Sequence, residues 1–308
     1  MNLLIDKQLS ALVRFMAALT VAIHHYSQYV CANHLSENII YKMFSSQGGY
    51  IAVGIFFFLS GYGLMESEKS QHLSTLAFFK KRFLHIYLPV LLVTALWLPI
   101  RSYVQGEQLL TGGVIYQFLW GFEDGVLWFV KALLFLYLCF GIYICIRTRY
   151  SQEFSFICLN LMTICVIAVL SIIIKLPNYC LISIPLFTIG IMGSLFNKGY
   201  LYKTLIGLIL WGIVICLFVV ADGMLVVHSI INYILIFIAI LLLAKFPVKK
   251  KLPIPAVLGD ISFDIYLVHN KVLMALRVLL PIVPLFYFVG LMTVFSALFY
   301  LLRKKLSI

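Results

Sequence analysis

The chain has 308 residues, 63% of them hydrophobic and only 11% charged, with a net charge of +12 and a mean hydropathy of +1.07. A soluble domain carries roughly 25% charged residues, so too few polar groups remain here to coat a water-facing surface, and a soluble globular fold is excluded. The basic excess sits in short loops between apolar stretches, which reads as a membrane-topology signal, so no nucleic-acid partner is expected.

Apolar stretches of about 20 residues recur along the chain, each long enough to cross a hydrocarbon core of about 30 Å. The pattern predicts an all-α integral membrane protein, a bundle of about ten spans at 10–30, 50–66, 83–105, 126–146, 154–175, 180–196, 202–221, 226–245, 256–279 and 285–302. The longest connections are expected at 67–82 and 106–125, leaving no room for a second domain. One domain over 1–308 is therefore expected.

The first stretch does not read as a cleavable signal peptide. It carries Arg14, His24 and His25, and no small-residue cleavage site follows it. Ionisable groups inside a span are costly and are functional candidates by default. Arg14 and His25 are eleven residues apart. At about 100° per residue they fall within about 20° of one helix face, roughly 16 Å apart along the axis. His24 points elsewhere. Such a face suits a site with two ends, one for an anionic donor and one for activating an acceptor. The structural alternative has Arg14 snorkelling to lipid phosphates and His25 bonded to a neighbouring helix.

In span 2, Phe56-Phe57-Phe58-Leu59 is followed by Ser60, Gly61, Tyr62 and Gly63. Small residues there permit close helix approach or a break that lines a cavity. Lys80, Lys81, Arg82 and His85 then precede Pro89. They suit a phosphorylated donor or serve only as topology determinants. Trp128 and Lys131 open span 4, Trp128 as an interfacial anchor and Lys131 about one turn inside. Cys139, Cys145, Cys158, Cys165 and Cys216 fall within spans as small hydrophobes. No CxxC or other metal spacing occurs, so no metal and no disulfide are expected. Span 9 holds Asp260, Ser262, Asp264, Tyr266, His269, Lys271 and Arg277. Ser262, Tyr266 and His269 form one stripe at i, i+4 and i+7. The two carboxylates call for partners, with Lys131 or Arg14 as candidates, or else form an ion pair that seals the bundle.

Alternate loops hold Lys69, Lys80, Lys81 and Arg82; Arg147 and Arg149; Lys198 and Lys203; Lys245 and Lys249 to Lys251. With Lys7, Arg303, Lys304 and Lys305 at the termini, all fall on one side if the spans number ten. The opposite loops hold Glu37, Glu107, Glu123, Asp124 and Asp222. Both termini are thus expected to be cytoplasmic.

Five segments, in order from residue 14 to 269, resemble acyltransferase family 3, membrane proteins that acylate carbohydrates of the bacterial surface. Arg14-x10-His25 is similar to the signature of that family's first helix. Gly54 to Tyr62 resembles its FF-x-LSG segment, and Phe79 to Pro89 its RxxR-before-proline segment, with His85 in place of the second Arg. Leu127-Trp128-Phe129-Val130 with Tyr137 resembles its Trp-Phe-Leu helix, and Gly259 to His269 its iSY-x-IYL-x-H segment. The SGNH-type domain appended in some members is not seen here.

The resemblance implies an acyl-CoA co-substrate, most often acetyl-CoA, and an acceptor hydroxyl on a surface polysaccharide or lipid-linked glycan. The location implied is the bacterial cytoplasmic membrane, multi-pass, with monomer and homodimer both open. On this reading Arg14, with Arg82, Lys80, Lys81 and His85, engages the donor. His25 acts as general base, since an imidazole with an ordinary pKa near 6.5 suits that task. Ser60 and Gly61 shape a tunnel that Trp128, Lys131, Asp260, Ser262, Asp264, Tyr266 and His269 help to line. Two rivals are a polysaccharide or lipid-linked sugar exporter without chemistry, which has no need of Arg14 and His25 on one face, and a proton-coupled carrier relaying through His25, Asp260 and Asp264. The carrier is disfavoured because no paired broken helices appear in matching halves.

Overall fold

The computed structural model describes residue 5 and residues 7–71, 74–106, 127–173, 175–195, 233–234 and 257–307, and among these residues there is no β-strand. Helix α1 is Lys7–Ala32. A short α2, Ile39–Met43, is capped by Asn38, whose side chain accepts from the Ile40 N–H at 2.9 Å. A π-helical turn, Phe44–Gly48, leads into α3, Gly49–Gln71. Helix α4, Thr75–Gln105, is capped by Ser74 and ends at Gly106 with φ 68°. Helices α5, Trp128–Arg147, and α6, Gln152–Ile172, form a hairpin. The short α7, Asn178–Leu181, precedes α8, Leu186–Leu195. The final pair is α9, Val257–Leu279, and α10, Leu285–Lys305.

Side-chain pairings fix the directions. Gly259 lies against Ala11, His269 stacks on His25 and Arg277 sits over the Tyr29 ring. Rising numbers meet rising numbers, so α1 and α9 run parallel. Helix α10 returns antiparallel, because Arg303 near its end reaches back to Asp264 and Asp260 in the first turns of α9. Helix α3 opposes α1, with Gly49 beside His24 and Tyr62 accepting from the Ile5 N–H. Helix α8 follows α3, from Gly190 against Phe58 to Ser194 bonded to Glu66. Consequently α1 begins, α8 ends, α9 begins and α10 ends at the same end of the bundle.

Small residues set the closest contacts. A Cβ built on Gly61 would lie 1.9 Å from the Phe187 carbonyl oxygen, and one on Gly190 would lie 2.1 Å from that of Phe58. Helices α3 and α8 therefore touch backbone to backbone, a packing that only small residues permit. Large side chains fill the rest, and Phe57, Phe140, Tyr143, Phe187 and Phe288 are fully buried.

Six helical segments are long and apolar enough to cross a membrane, and their outward faces carry large hydrophobics such as Leu96, Phe286 and Leu298. Helix α9 is not among the six. Asp260, Asp264, Lys271 and Arg277 lower its hydropathy, yet it packs between α1 and α10. The all-helical multi-pass architecture agrees with the sequence reading, and eight of the expected spans coincide with helical segments. The expected spans 202–221 and 226–245 lie outside the described residues apart from 233–234, as do Lys198, Lys203, Lys245 and Lys249 to Lys251.

Two expectations are corrected. The connection placed at 67–82 is only 72–74, because α3 runs on to Gln71 and α4 starts at Thr75. The polar end of α3 stays helical through ion pairs: Glu66 with Lys69, 3.0 Å, and Glu68 with Arg147, 3.5 Å. The span placed at 180–196 is broken into α7 and α8. Pro185, lacking a backbone N–H, sits in the turn before α8.

Candidate active site

At the end of the bundle where both termini lie, a cavity of ≈ 610 Å³ opens between α1, α3, α4 and α5. Arg14, Ser60, Glu66, Lys69, Arg82 and Tyr137 contribute to its wall. The accessible surface of Arg14 faces this cavity, and its Nε donates to the Ser10 carbonyl at 3.3 Å. Arg82, half-buried on α4, leaves its Nε buried without a hydrogen-bond partner among the described residues. Tyr137 hydrogen-bonds with Ser60 beside the two arginines. Lys69 is ion-paired with Glu66 at the rim and also donates to the Ser194 carbonyl, while Ser194 Oγ donates to Glu66 at 2.7 Å. Two guanidinium groups in one recess repel each other, and an anion between them relieves that repulsion through charge-assisted hydrogen bonds.

The second feature lies further along α1, where it packs on α9. The His25 and His269 rings stack with centroids 5.3 Å apart and planes at 25°. His269 is fully buried on α9, and its Nδ1 donates to the Tyr266 carbonyl at 2.7 Å. His25 Nδ1 meets Gln28 Oε1 at 3.0 Å. Tyr266, Phe56 and Phe129 form an aromatic triad beside this pair, with centroid separations of 5.4 to 6.2 Å. The Tyr266 ring lies 5.8 Å from that of His269. His24 turns away, bonding the Phe44 carbonyl of the π-helical turn at 2.7 Å and packing on Gly49.

The structure thus gathers the singled-out residues into two groups. Arg14, Ser60, Arg82 and Tyr137 meet at the cavity. His25, Phe56, Phe129, Tyr266 and His269 meet at the imidazole pair. His25 is not among the residues lining the cavity. Ala18, Val21 and Ala22, all buried, occupy α1 between the two groups.

Other residues fall elsewhere. Lys80, Lys81 and His85 are exposed on α4, away from the cavity wall. Gly61 serves the α3–α8 contact. Trp128 stands beside Phe57, ring centroids 6.2 Å apart, and Lys131 is half-buried on α5. Ser262 Oγ, buried, donates to the Gly259 carbonyl at 2.7 Å. Asp260 is exposed.

The expected carboxylate partners are corrected in part: Asp260 acts electrostatically on Arg14, as expected, but Asp264 has another partner. Asp264, fully buried, is held by Arg303, Nε to Oδ1 at 2.9 Å and Nη2 to Oδ2 at 3.0 Å, rather than by Lys131 or Arg14. Sequence reasoning treated Arg303 as a topology residue because nothing in the sequence placed α10 against α9. It also passed over Gln28, whose only signal was its i+3 spacing from His25.

The chain matches a family model described as an acyltransferase domain over residues 10–303. No curated protein matches it, and no solved structure does.

Proposed function

The chain belongs to this acyltransferase-domain family, and from that premise we propose that it moves an acetyl group from cytoplasmic acetyl-CoA to a hydroxyl of a surface polysaccharide or lipid-linked glycan. It works in the bacterial cytoplasmic membrane, with both termini on the cytoplasmic side. The observation that carries the reading is the pairing of a two-arginine cavity and a stacked imidazole pair at two points along one helix, α1.

Arg14 and Arg82 bind the phosphates of the coenzyme. His25 Nε2 takes the proton of the acceptor hydroxyl as its oxygen attacks the thioester carbonyl. The C–O bond forms and the C–S bond breaks. The leaving thiolate recovers a proton from the imidazolium, giving free coenzyme A and the ester.

The test uses purified full chain in lipid nanodiscs with radiolabelled acetyl-CoA. Membranes of a strain lacking the chain supply the acceptor. His25→Ala should abolish label transfer while leaving the protein inserted and monodisperse. Label transfer by that variant would overturn the base assignment, and glycan passage without acetylation by the wild type would overturn the enzymatic reading.

A further inference from the structure

A general base must present an unprotonated nitrogen to its substrate, and an imidazole has two nitrogens that compete for one proton. Something must therefore decide which nitrogen of His25 is the base. The neighbours of its ring can be enumerated among the described residues. His269 on α9 stacks on one face. His24, the preceding residue of α1, meets it edge-on at 4.9 Å. Tyr50, at the start of α3, lies beside His24, 6.4 Å between centroids. Arg277, about two turns beyond His269 on α9, sits over the Tyr29 ring. Gln28 Oε1 lies 3.0 Å from His25 Nδ1, within hydrogen-bond reach.

An amide oxygen only accepts. The bond therefore exists only when Nδ1 carries the proton, which leaves Nε2 with its lone pair. Gln28 is on the same helix, one turn on, so the contact survives movement of neighbouring helices.

We propose that Gln28 is the positioning residue of His25, holding the Nδ1–H tautomer so that Nε2 is the base. The role is that of the carboxylate in a Ser-His-Asp triad, filled here by a neutral group. The proposal rests on the base assignment above, and its test separates the two.

Gln28→Leu should slow acetyl transfer roughly tenfold at saturating acetyl-CoA, the value of one neutral hydrogen bond, with the KM for acetyl-CoA unchanged. Gln28→Glu, which keeps an acceptor oxygen and cannot donate from it when ionised, should restore activity. Its negative charge should also move the acid limb of the rate profile to higher pH. A readout independent of turnover comes from long-range ¹H–¹⁵N spectra of histidine-labelled protein in micelles, with His25 assigned by His25→Asn. The wild type should show Nδ1–H, and Gln28→Leu a mixture of tautomers. A wild-type rate and pH profile in Gln28→Leu, or an Nε2–H tautomer in the wild type, overturns the proposal. Activity in His25→Ala overturns the base assignment instead, while the spectra still report on the Gln28 contact.

Discussion

Replacing Arg303 with Met should strand a carboxylate. Asp264 is fully buried and both its oxygens are taken by Arg303, at 2.9 and 3.0 Å. Removing one partner of such a pair leaves an uncompensated charge and costs about 3–5 kcal/mol. Asp264→Leu alone should also destabilise, through the orphaned guanidinium, though less, because Arg303 is near the end of α10 and retains its contact with the Tyr300 ring. The double variant Asp264→Leu/Arg303→Met should recover most of the loss, since a packed apolar pair often equals or exceeds a buried ion pair. Unfolding of purified protein in mixed micelles, run on all four species, gives the coupling energy directly. The double variant should also retain acetyl transfer, because Arg303 already engages both Asp264 oxygens. Additive losses would refute the ion-pair account. A stable but inactive double variant would return Asp264 to the substrate site.

Two further outcomes follow from the packing and the cavity. Gly61→Ala should lower the melting temperature sharply, because its Cβ would sit 1.9 Å from the Phe187 carbonyl oxygen and force α3 from α8, an overpacking cost of about 1–3 kcal/mol or more. Gly63→Ala, which meets nothing within 4 Å, should be neutral or stabilising in the same melt. Arg82→Gln should raise the KM for acetyl-CoA by roughly 10- to 100-fold, the value of a charge-assisted hydrogen bond. Lys80→Gln/Lys81→Gln, on the exposed face of the same helix, should leave it within about twofold if that bond lies with Arg82 alone. The reverse pattern in titrations of purified protein would move the donor from the cavity to the helix surface.

What the sequence revealed, and what it hid, divides along a physical line. Hydropathy located most of the helical segments among the described residues because it is a local sum, and the 3.6-residue period put Arg14 and His25 on one face without any tertiary information. The period could not say which helix comes opposite. The stacking of His269 on His25, the arrival of Arg303 at Asp264 and the convergence of Phe56, Phe129 and Tyr266 all depend on α9 running parallel to α1 and α10 returning beside it. The basic run Lys80-Lys81-Arg82 shows the same limit. Its charge pattern alone does not rank the three cations, and only Arg82, the one that best matches the family segment, lines the cavity. The break before α8 was signalled by Pro185, but uninterrupted hydrophobicity on both sides masked it.

The parallel packing of α1 and α9 also bears on the donor. Arg14 and His25 are separated by about 16 Å of helix rise, and α9 repeats nearly the same separation from Gly259, beside Ala11 and Arg14, to His269, beside His25. The two ends of the site are therefore held apart by two helices in register, and a small shift of one cannot close the gap. On the proposed reading, the donor must carry its negative charge well away from its reactive carbonyl. A nucleotide thioester on a long uncharged arm meets that requirement, and a short acyl phosphate does not. The stretch between the two ends is apolar on α1, through Ala18, Val21 and Ala22, and aromatic towards the imidazoles, through Phe56, Phe129 and Tyr266. On the proposed reading, these buried side chains, none of which lines the cavity, would have to part for an uncharged arm to reach the imidazoles, and being apolar they would cost it little in desolvation.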